Sequence, residues 1–254
     1  VVIDKNGVKS YKPFNKVPAR PCIFEYIYFA RPDSVMNGKN VYECRKKMGQ
    51  QLALELNTKA DLVIPVPDSG VPAALGYSEA SSIPYNLGII RNHYVGRTFI
   101  EPTQTIRQLG IKLKHNTNKS IIQNKRVILI DDSIVRGTTA IKIVEMMRNA
   151  GATEVHMRIS SPPIKFPDFY GIDTPSINEL IAASKSVEEM RKLLKLDSLH
   201  FLSLEGLYKS MGHKNRNKNN PQYTDHCFTG DYPTRLVDRD DGALTSQLSL
   251  LNDK

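Results

Sequence analysis

One segment limits the possible folds of this chain more than any other: an apolar run that ends in two aspartates and continues through a glycine-containing turn. The segment, VILIDDSIVRGTT, covers residues 127–139. Its first half has the apolar, β-branched composition of a buried strand. The residues that follow, AIKIVEMMRNA, have the spacing of an amphipathic helix closed by Gly151. A buried strand followed by a turn and a helix is the repeating unit of parallel α/β sheets.

The same alternation occurs elsewhere in the first 160 residues. DLVIPV at 61–66 predicts a second buried strand, PDSG a turn, and VPAALGYSEAS at 71–81 a helix. Residues 86–91 and 154–159 predict two further strands, and the aromatic run CIFEYIYF at 22–29 predicts another. We therefore expect an α/β fold in which a parallel sheet is flanked by helices.

Two other regions are predicted to be helical. Residues 41–56 place apolar side chains, including that of Cys44, at three- and four-residue spacing. Beyond Pro163 we expect a smaller helical subdomain, because Ser176 and Ser186 each stand three residues before a glutamate, which is the spacing of a capping box.

Composition argues against several classes of protein. The chain has 35 Lys plus Arg against 26 Asp plus Glu, and a formal net charge of +9. Much of the excess lies in two polar stretches, 112–126 and 209–218, so surface or phosphate-handling loops explain it without a nucleic-acid partner. No apolar run approaches the roughly 20 residues that span a bilayer, so no membrane association is expected. Three scattered cysteines without CxxC spacing indicate a reducing, cytoplasmic setting.

The turn that follows the apolar run within residues 127–139 has the features of a phosphate-binding site. Gly137 permits a tight backbone, Thr138 and Thr139 add hydroxyl donors, and the N-terminus of the following helix supplies free N–H groups. Asp131 and Asp132 stand beside this anion site and therefore need a different ligand, such as ribose hydroxyls or a divalent cation. The simpler alternative is an N-capping aspartate next to a solvated one.

Residues 127–139 resemble the phosphoribosyl-pyrophosphate (PRPP) signature of the type I phosphoribosyltransferases. Over roughly residues 8–236, further segments are similar to one family of these enzymes, the glutamine PRPP amidotransferases, and occur in that family's order. They are PCIFEYIYFARPDS, IPVPDSGVPAALGYSEA, HYVGRTFIEPTQ, FYGIDTPSINELIA and CFTGDYPT. The resemblance implies a type I phosphoribosyltransferase fold. It also implies transfer of ammonia to C1 of PRPP, which gives 5-phosphoribosylamine and pyrophosphate in the first step of purine synthesis.

The resemblance assigns roles to two turns. Asp131 and Asp132 would hold the ribose hydroxyls and the Mg²⁺ shell, and the turn after them would enclose the 5′-phosphate. Asp68, Ser69 and Gly70 match the pyrophosphate loop, with Ser69 also a metal ligand, although PDSG alone is a common turn sequence. The substrate-binding residues implied in this way are Asp68, Ser69, Gly70, Asp131, Asp132, Ser133, Ile134, Val135, Arg136, Gly137, Thr138 and Thr139.

The polar segment 92–120 matches the family's flexible catalytic loop. Arg97 and Lys112 are the implied catalytic residues and Lys114 is a further candidate, although single basic residues on a loop are often simply solvated. Closure of such a loop would keep water away from an electron-poor C1. Arg91, at the base of the loop, is a candidate contact for the purine nucleotides, AMP or GMP, that inhibit the family.

The sequence departs from this family at its start. The family's N-terminal glutaminase domain begins with a nucleophilic cysteine, whereas this chain begins with Val1. We therefore expect residues 1–21 to be a linker from a missing N-terminal domain and residues 22–211 to be the phosphoribosyltransferase domain. Residues 212–254 would be a C-terminal loop and tail, mobile over 212–222. Such a chain would use free ammonia and would not hydrolyse glutamine.

A second departure concerns an iron–sulfur cluster that some family members hold through four cysteines. Cys22 and Cys227 match two of the four positions, and Asp168 and Thr224 occupy the other two. Such a cluster normally takes four thiolates, so no iron–sulfur cluster is expected and Mg²⁺ is the implied cofactor. The resemblance further implies a homo-oligomer.

Two other functions share the PRPP turn. A nucleobase phosphoribosyltransferase would need a base-recognising hood, whereas the flanking segments match the amidotransferases. A non-catalytic PRPP- or nucleotide-binding regulator on the same fold would lack the catalytic loop or carry a DNA-binding helix pair. The loop is present, and no helix-turn-helix pattern stands out. Neither GxGxxG nor GxxxxGK(S/T) occurs, which argues against a Rossmann dehydrogenase and a P-loop kinase.

Overall fold

The computed structural model describes residues 1–92, 115–172 and 176–236. The strands are β1 (Val2–Asp4), β2 (Gly7–Lys9), β3 (Val35–Met36), β4 (Lys39–Asn40), β5 (Leu62–Pro65), β6 (Ile89–Arg91), β7 (His115–Thr117), β8 (Arg126–Asp131), β9 (Glu154–Ile159) and β10 (Ser198–Phe201). The α-helices are α1 (Val41–Glu55), α2 (Val71–Ser81), α3 (Lys119–Ile122), α4 (Thr138–Asn149), α5 (Ile181–Ser184), α6 (Val187–Leu193), α7 (Leu204–Ser210) and α8 (His226–Thr229). A π-helical turn covers Glu25–Phe29, and a 3₁₀ turn covers Ile177–Glu179.

Four of these strands form a parallel sheet in the order β10–β9–β8–β5. β8 lies inside the sheet, where Ile128 is aligned with Val63 of β5 and with His156 of β9. Three antiparallel pairs lie outside this sheet in the described ranges: β1–β2, β3–β4 and β6–β7. The predicted α/β fold, a parallel sheet flanked by helices, is confirmed.

Side chains of β8 alternate between two apolar cores, one on each face of the sheet. Ile128 and Ile130 belong to the core formed with α1, α2 and α7, whereas Val127 and Leu129 belong to the core formed with α4 and α6. All four side chains are fully buried. Burial of both faces explains the continuous apolar sequence of this strand. Asp131 is the last residue of β8 and therefore lies at the carboxyl edge of the sheet.

The predicted strand at residues 22–29 is wrong. Most of the segment folds as the π-helical turn Glu25–Phe29. Ile23, Tyr26 and Ile27 recur at helical spacing and are buried, whereas the two aromatic residues after Ile27 are exposed. A short apolar run does not distinguish a strand from a helix, and here burial on one side of a helical turn determines the conformation.

The edges of the sheet also differ from the prediction. Of residues 86–91, only β6 forms a strand, and it pairs with β7 outside the central sheet. Beside β5, the main chain of Tyr85 makes a single bridge to Val63. The sequence does not predict the edge strand β10, because SLHF is only four residues long and half of it is polar.

One of the two predicted capping boxes forms. At the start of α6, Ser186 accepts a hydrogen bond from the backbone N–H of Glu189, and the Glu189 carboxylate accepts one from the backbone N–H of Ser186. At Ser176 the predicted box does not form, and the hydroxyl donates to the Glu179 carboxylate at 3.4 Å. Gly151 follows α4 at φ +91°, as its predicted role in ending the helix requires.

The chain after residue 211 contributes to the main core, although the sequence predicts a loop and tail there. Tyr223, Cys227 and Phe228 are buried with side chains of α1 and α7. The loop before them is anchored by Arg216, whose Nε lies 2.6 Å from a carboxylate oxygen of the fully buried Asp225. In the part of the chain that the structure describes, no helix is both long and apolar enough to cross a membrane.

Candidate active site

The two adjacent acids lie where β8 ends. Asp131 and Asp132 are 9% and 5% exposed. Their carboxylates are held locally: Asp131 accepts the backbone N–H of Asp132 at 2.9 Å, and Asp132 accepts the hydroxyl of Ser133 at 2.6 Å. The pair is therefore positioned by its own turn at the carboxyl edge of the sheet, where open α/β sheets bind ligands.

The acid pair has an electrostatic consequence. Burial raises the pKa of Asp131 well above its usual value, and the negative charge of Asp132 raises it further. Two close carboxylates in a poorly solvated position require compensating hydrogen-bond donors or positive charge. Ribose hydroxyls and a divalent cation both supply such compensation, so the geometry favours the ligand-binding interpretation over a simple helix cap.

The turn that follows opens onto the N-terminus of α4. Gly137 has φ +80°, a left-handed conformation that favours glycine, and it precedes the helix without any side-chain capping hydrogen bond. The first N–H groups of a helix of 12 residues are thus left available to an anion. Thr138 and Thr139 are exposed at this end. These features give the start of α4 the chemistry of an anion-binding helix terminus.

The other predicted residues of this turn have different roles. Ile134 is buried in the core beneath α4, and the partly buried Val135 packs against the core on the other face. The carbonyl of Val135 accepts the N–H of Ile181 at 3.0 Å. Arg136 is half exposed and pairs with Glu179, its Nε 2.6 Å from the carboxylate. Sequence reasoning missed Glu179, which is 43 residues away.

The predicted pyrophosphate loop lies next to the acid pair. Residues 67–70 lie between β5 and α2, and the hydroxyl of Ser69 is 3.5 Å from a carboxylate oxygen of Asp131. Gly70 is required by close packing, because a Cβ there would lie 2.3 Å from the carbonyl oxygen of Ile130. The structure therefore brings together two motifs that are more than sixty residues apart in the sequence.

Arg91, the predicted nucleotide contact at the end of β6, forms an ion pair with Asp68 of the same loop. This pairing offsets the negative charge of Asp68 at a position where the sequence predicts a pyrophosphate. Arg97, Lys112 and Lys114 lie outside the described residues.

Arg45 is a further residue that the sequence does not single out. It is 3% exposed and donates to the main-chain carbonyls of Tyr26 and Ala30 at 3.0 and 2.7 Å. Burial lowers its pKa, and the largest opposing influence is the charge of Asp132. Arg45 thus connects the turn Glu25–Phe29 electrostatically to the acid pair. The sequence pattern of residues 41–56 does not distinguish Arg45 from a solvated arginine.

The donor set at the sheet edge fits Mg²⁺. Asp131, Asp132 and Ser69 present hard oxygen atoms, and Mg²⁺ is typically held by one or two carboxylates together with water and substrate oxygens. In the described ranges, no group of three or more His, Cys, Asp or Glu side chains is arranged to hold a metal ion. A metal at this edge would therefore take some of its ligands from water or from the substrate.

The four positions that match the family's cluster also come together, but their donors do not fit four-thiolate ligation. Cys22 bridges to Thr224, whose hydroxyl donates to the carbonyl of Arg20 at 2.8 Å. Asp168 lies 2.8 Å from the buried ring of His226. Only two of the four positions carry sulfur.

Comparison with known proteins agrees with this geometry. Residues 33–160, about half of the chain, match the model of the phosphoribosyl transferase domain. The chain therefore belongs to the phosphoribosyltransferase family, as the acid pair, the open helix N-terminus and the parallel sheet indicate.

Individual relatives show which phosphoribosyltransferases this chain is similar to. The chain is 59% identical over 246 residues to an amidophosphoribosyltransferase of Rhizobium etli, covering 96% of this chain and 50% of the relative. It is 51% identical over 236 residues to that of Bacillus subtilis, covering 93% and 49%. The solved structure of the B. subtilis glutamine PRPP amidotransferase complexed with ADP and GMP superimposes with a TM-score of 0.80, at 52% identity over 92% of this chain and 51% of that chain. The chain thus spans about half the length of these relatives.

Proposed function

We propose that this chain transfers ammonia to C1 of PRPP and releases pyrophosphate, the transferase half of amidophosphoribosyltransferase activity. The observation that carries the proposal is the meeting of two loops at one sheet edge, where Ser69 lies 3.5 Å from Asp131. Similarity to amidophosphoribosyltransferases over more than nine-tenths of the chain supports this reaction over other uses of the fold.

Each part of the site has a binding role in this proposal. The free N–H groups at the start of α4 bind the 5′-phosphate, and Asp131 and Asp132 accept hydrogen bonds from the ribose hydroxyls. The turn 67–70 binds the pyrophosphate, with Ser69 and the two acids as ligands of the accompanying Mg²⁺. The chain thereby fixes both ends of PRPP and leaves C1 between the two turns.

The chemistry requires positioning and charge compensation, and no side chain has to act as a covalent nucleophile. The bond from C1 to the pyrophosphate oxygen breaks with its electron pair leaving on oxygen, and the lone pair of ammonia forms the new C1–N bond. The resulting ammonium group then loses a proton to solvent. Bound Mg²⁺ would supply charge neutralisation for the pyrophosphate. The carboxylates beside the ribose favour the positive charge that develops at C1, and the turns hold it in line with ammonia.

Inhibition by purine nucleotides is a second part of the proposal. A helix N-terminus that binds the 5′-phosphate of PRPP offers the same donors to a nucleoside monophosphate. The similar B. subtilis enzyme was solved with ADP and GMP. AMP and GMP should therefore compete with PRPP, and binding of PRPP that is insensitive to millimolar AMP and GMP would contradict this part.

Further parts of the proposal concern the whole protein. Glutamine would be the source of ammonia through polypeptide outside residues 1–254, since the relatives are about twice as long. The protein would act as a homo-oligomer in the cytoplasm, a reducing compartment that suits its three free cysteines. It would carry no iron–sulfur cluster, because two of the four matching positions lack sulfur.

The transferase proposal is tested by pyrophosphate release from PRPP with Mg²⁺ and ammonium, repeated with glutamine in place of ammonium. We expect release that depends on ammonia. A folded chain that binds PRPP without turning it over would instead support the non-catalytic regulator. A chain that binds no PRPP would contradict both functions.

A further inference from the structure

A buried pair of polar side chains lies outside the proposed active site. Nε2 of His226 is 2.8 Å from Oδ2 of Asp168, and the two side chains are 2% and 4% exposed. The second carboxylate oxygen, Oδ1, accepts the backbone N–H groups of Tyr170 and Ile172 at 2.7 and 3.1 Å. The ring of His226 stacks on Tyr232, with centroids 4.9 Å apart. Oδ1 of Asp168 is therefore hydrogen-bonded to two amides, and Oδ2 lies in close contact with the His226 ring.

The pair lies where three distant parts of the chain meet: the segment before α1, the segment after β9, and the segment that contains α8. Cys22 and Thr224 bridge the first to the third. The carbonyl of Cys227 accepts the N–H groups of Lys165 and Phe166 at 2.9 and 3.1 Å, which joins the second to the third. The Asp168–His226 contact reinforces this second junction through side chains.

The four positions that match the family's cluster site, Cys22, Asp168, Thr224 and Cys227, lie at this same place. The polar side chains among them make contacts within the protein. Asp168 is committed to His226 and to two amides, and Thr224 donates to a carbonyl. A cavity of about 780 Å³ lies beside Cys22, Asp168 and Thr224.

We infer that the Asp168–His226 contact joins the segment after β9 to the segment that contains α8 at the positions that match the family's cluster site, and that this chain holds no iron–sulfur cluster there. The chain holds the three segments together without iron, and the aspartate, rather than a lost cysteine, is the functional group at position 168. This inference concerns stability and metal content, so it does not depend on the transferase proposal.

The coupling of the two side chains is tested with D168N, H226Q and the double variant. D168N retains the acceptor for the two amides and removes the charge opposite His226. We expect each single variant to lower Tm by about 5–10 °C and the double variant to add little more, because the singles remove one shared interaction. The control D33N, at a carboxylate that is 69% exposed, should leave Tm within about 2 °C. Additive losses in the double variant would overturn the inference.

The relation to a cluster is tested by anaerobic reconstitution with iron and sulfide. We expect wild type, D168C and T224C to retain no iron after desalting. The double variant D168C/T224C presents four thiols and should retain about four iron atoms per chain. A cluster in the wild-type chain would overturn the inference, and so would a folded double variant that takes up no iron. Circular dichroism of each sample establishes that it is folded.

Discussion

Replacing Gly70 by alanine tests whether the position of the 67–70 turn matters for catalysis. Gly70 has φ −76° and ψ −10°, so alanine meets no backbone penalty there. A Cβ would nevertheless lie 2.3 Å from the carbonyl oxygen of Ile130 and 2.9 Å from that of Val66. Both are main-chain atoms, one near the end of β8 and the other directly after β5, and they cannot rotate away as a side chain could. The turn must therefore move by about 1 Å to restore ordinary contact distances.

The expected loss follows from that displacement. Misplacing a positioning group by about 1 Å costs on the order of 100-fold in rate, equivalent to about 2.7 kcal/mol of activation free energy. Overpacking adds a loss of about 1–3 kcal/mol in the free energy of unfolding, which leaves a domain of ordinary stability folded at 25 °C. We expect G70A to fold and to lose about 100-fold in kcat/KM for PRPP.

The assay is pyrophosphate release at saturating ammonium and Mg²⁺, with thermal unfolding measured on the same samples. G38A is the matched control, since Gly38 has φ +74° and no atom within 4 Å of an added Cβ. It should lose about 1–2 kcal/mol of stability through backbone strain and keep wild-type kcat/KM. Wild-type activity in folded G70A would refute the placement of the pyrophosphate at this turn.

Two further predictions concern ion pairs away from the site. R216M leaves Asp225, a fully buried carboxylate, without its cation and should lower the free energy of unfolding by about 3–5 kcal/mol; an unchanged urea midpoint would contradict this. Arg126 lowers the pKa of Asp61 to about 2 from 3.8, so this pair stabilises the folded state above pH 4 and loses its effect as the pH falls towards 2. D61N should therefore unfold below the wild-type Tm at pH 6 and at nearly the same Tm near pH 2, whereas a difference that is constant with pH would be evidence against this reasoning.

The sequence predicts best those features whose determinants are local. β8, the turn after Asp132 and α4 follow one another without interruption, and each is specified by residues within a few positions. The sequence shows an apolar run that can be buried on both faces, a glycine at the turn, and the spacing of an amphipathic helix. In the structure that glycine has a positive φ. This is why β8, the glycine-containing turn and α4 could all be predicted from the sequence.

The remaining features depend on contacts between distant residues. The pairing of Arg136 with Glu179 and of Asp168 with His226 joins segments whose approach is set by the packing of the whole domain. Local pattern also fails when two conformations bury the same side chains, as at 22–29, where an aromatic run suits a strand and a helical turn equally. Similarity to the family identifies residue 168 as one of the four cluster positions. Only the structure shows that the carboxylate there contacts His226 and two backbone amides.

The proposal depends on Asp131 and Asp132 acting with the turn after them to hold PRPP and its metal. Isothermal titration of PRPP into the folded chain, with and without Mg²⁺, addresses this for the wild type and for D131A/D132A, with D33N as the control. We expect Mg²⁺-dependent binding in the wild type and in D33N, and its loss in the double variant. Undiminished Mg²⁺-dependent binding by D131A/D132A, or no binding by the wild type, would contradict the proposed site.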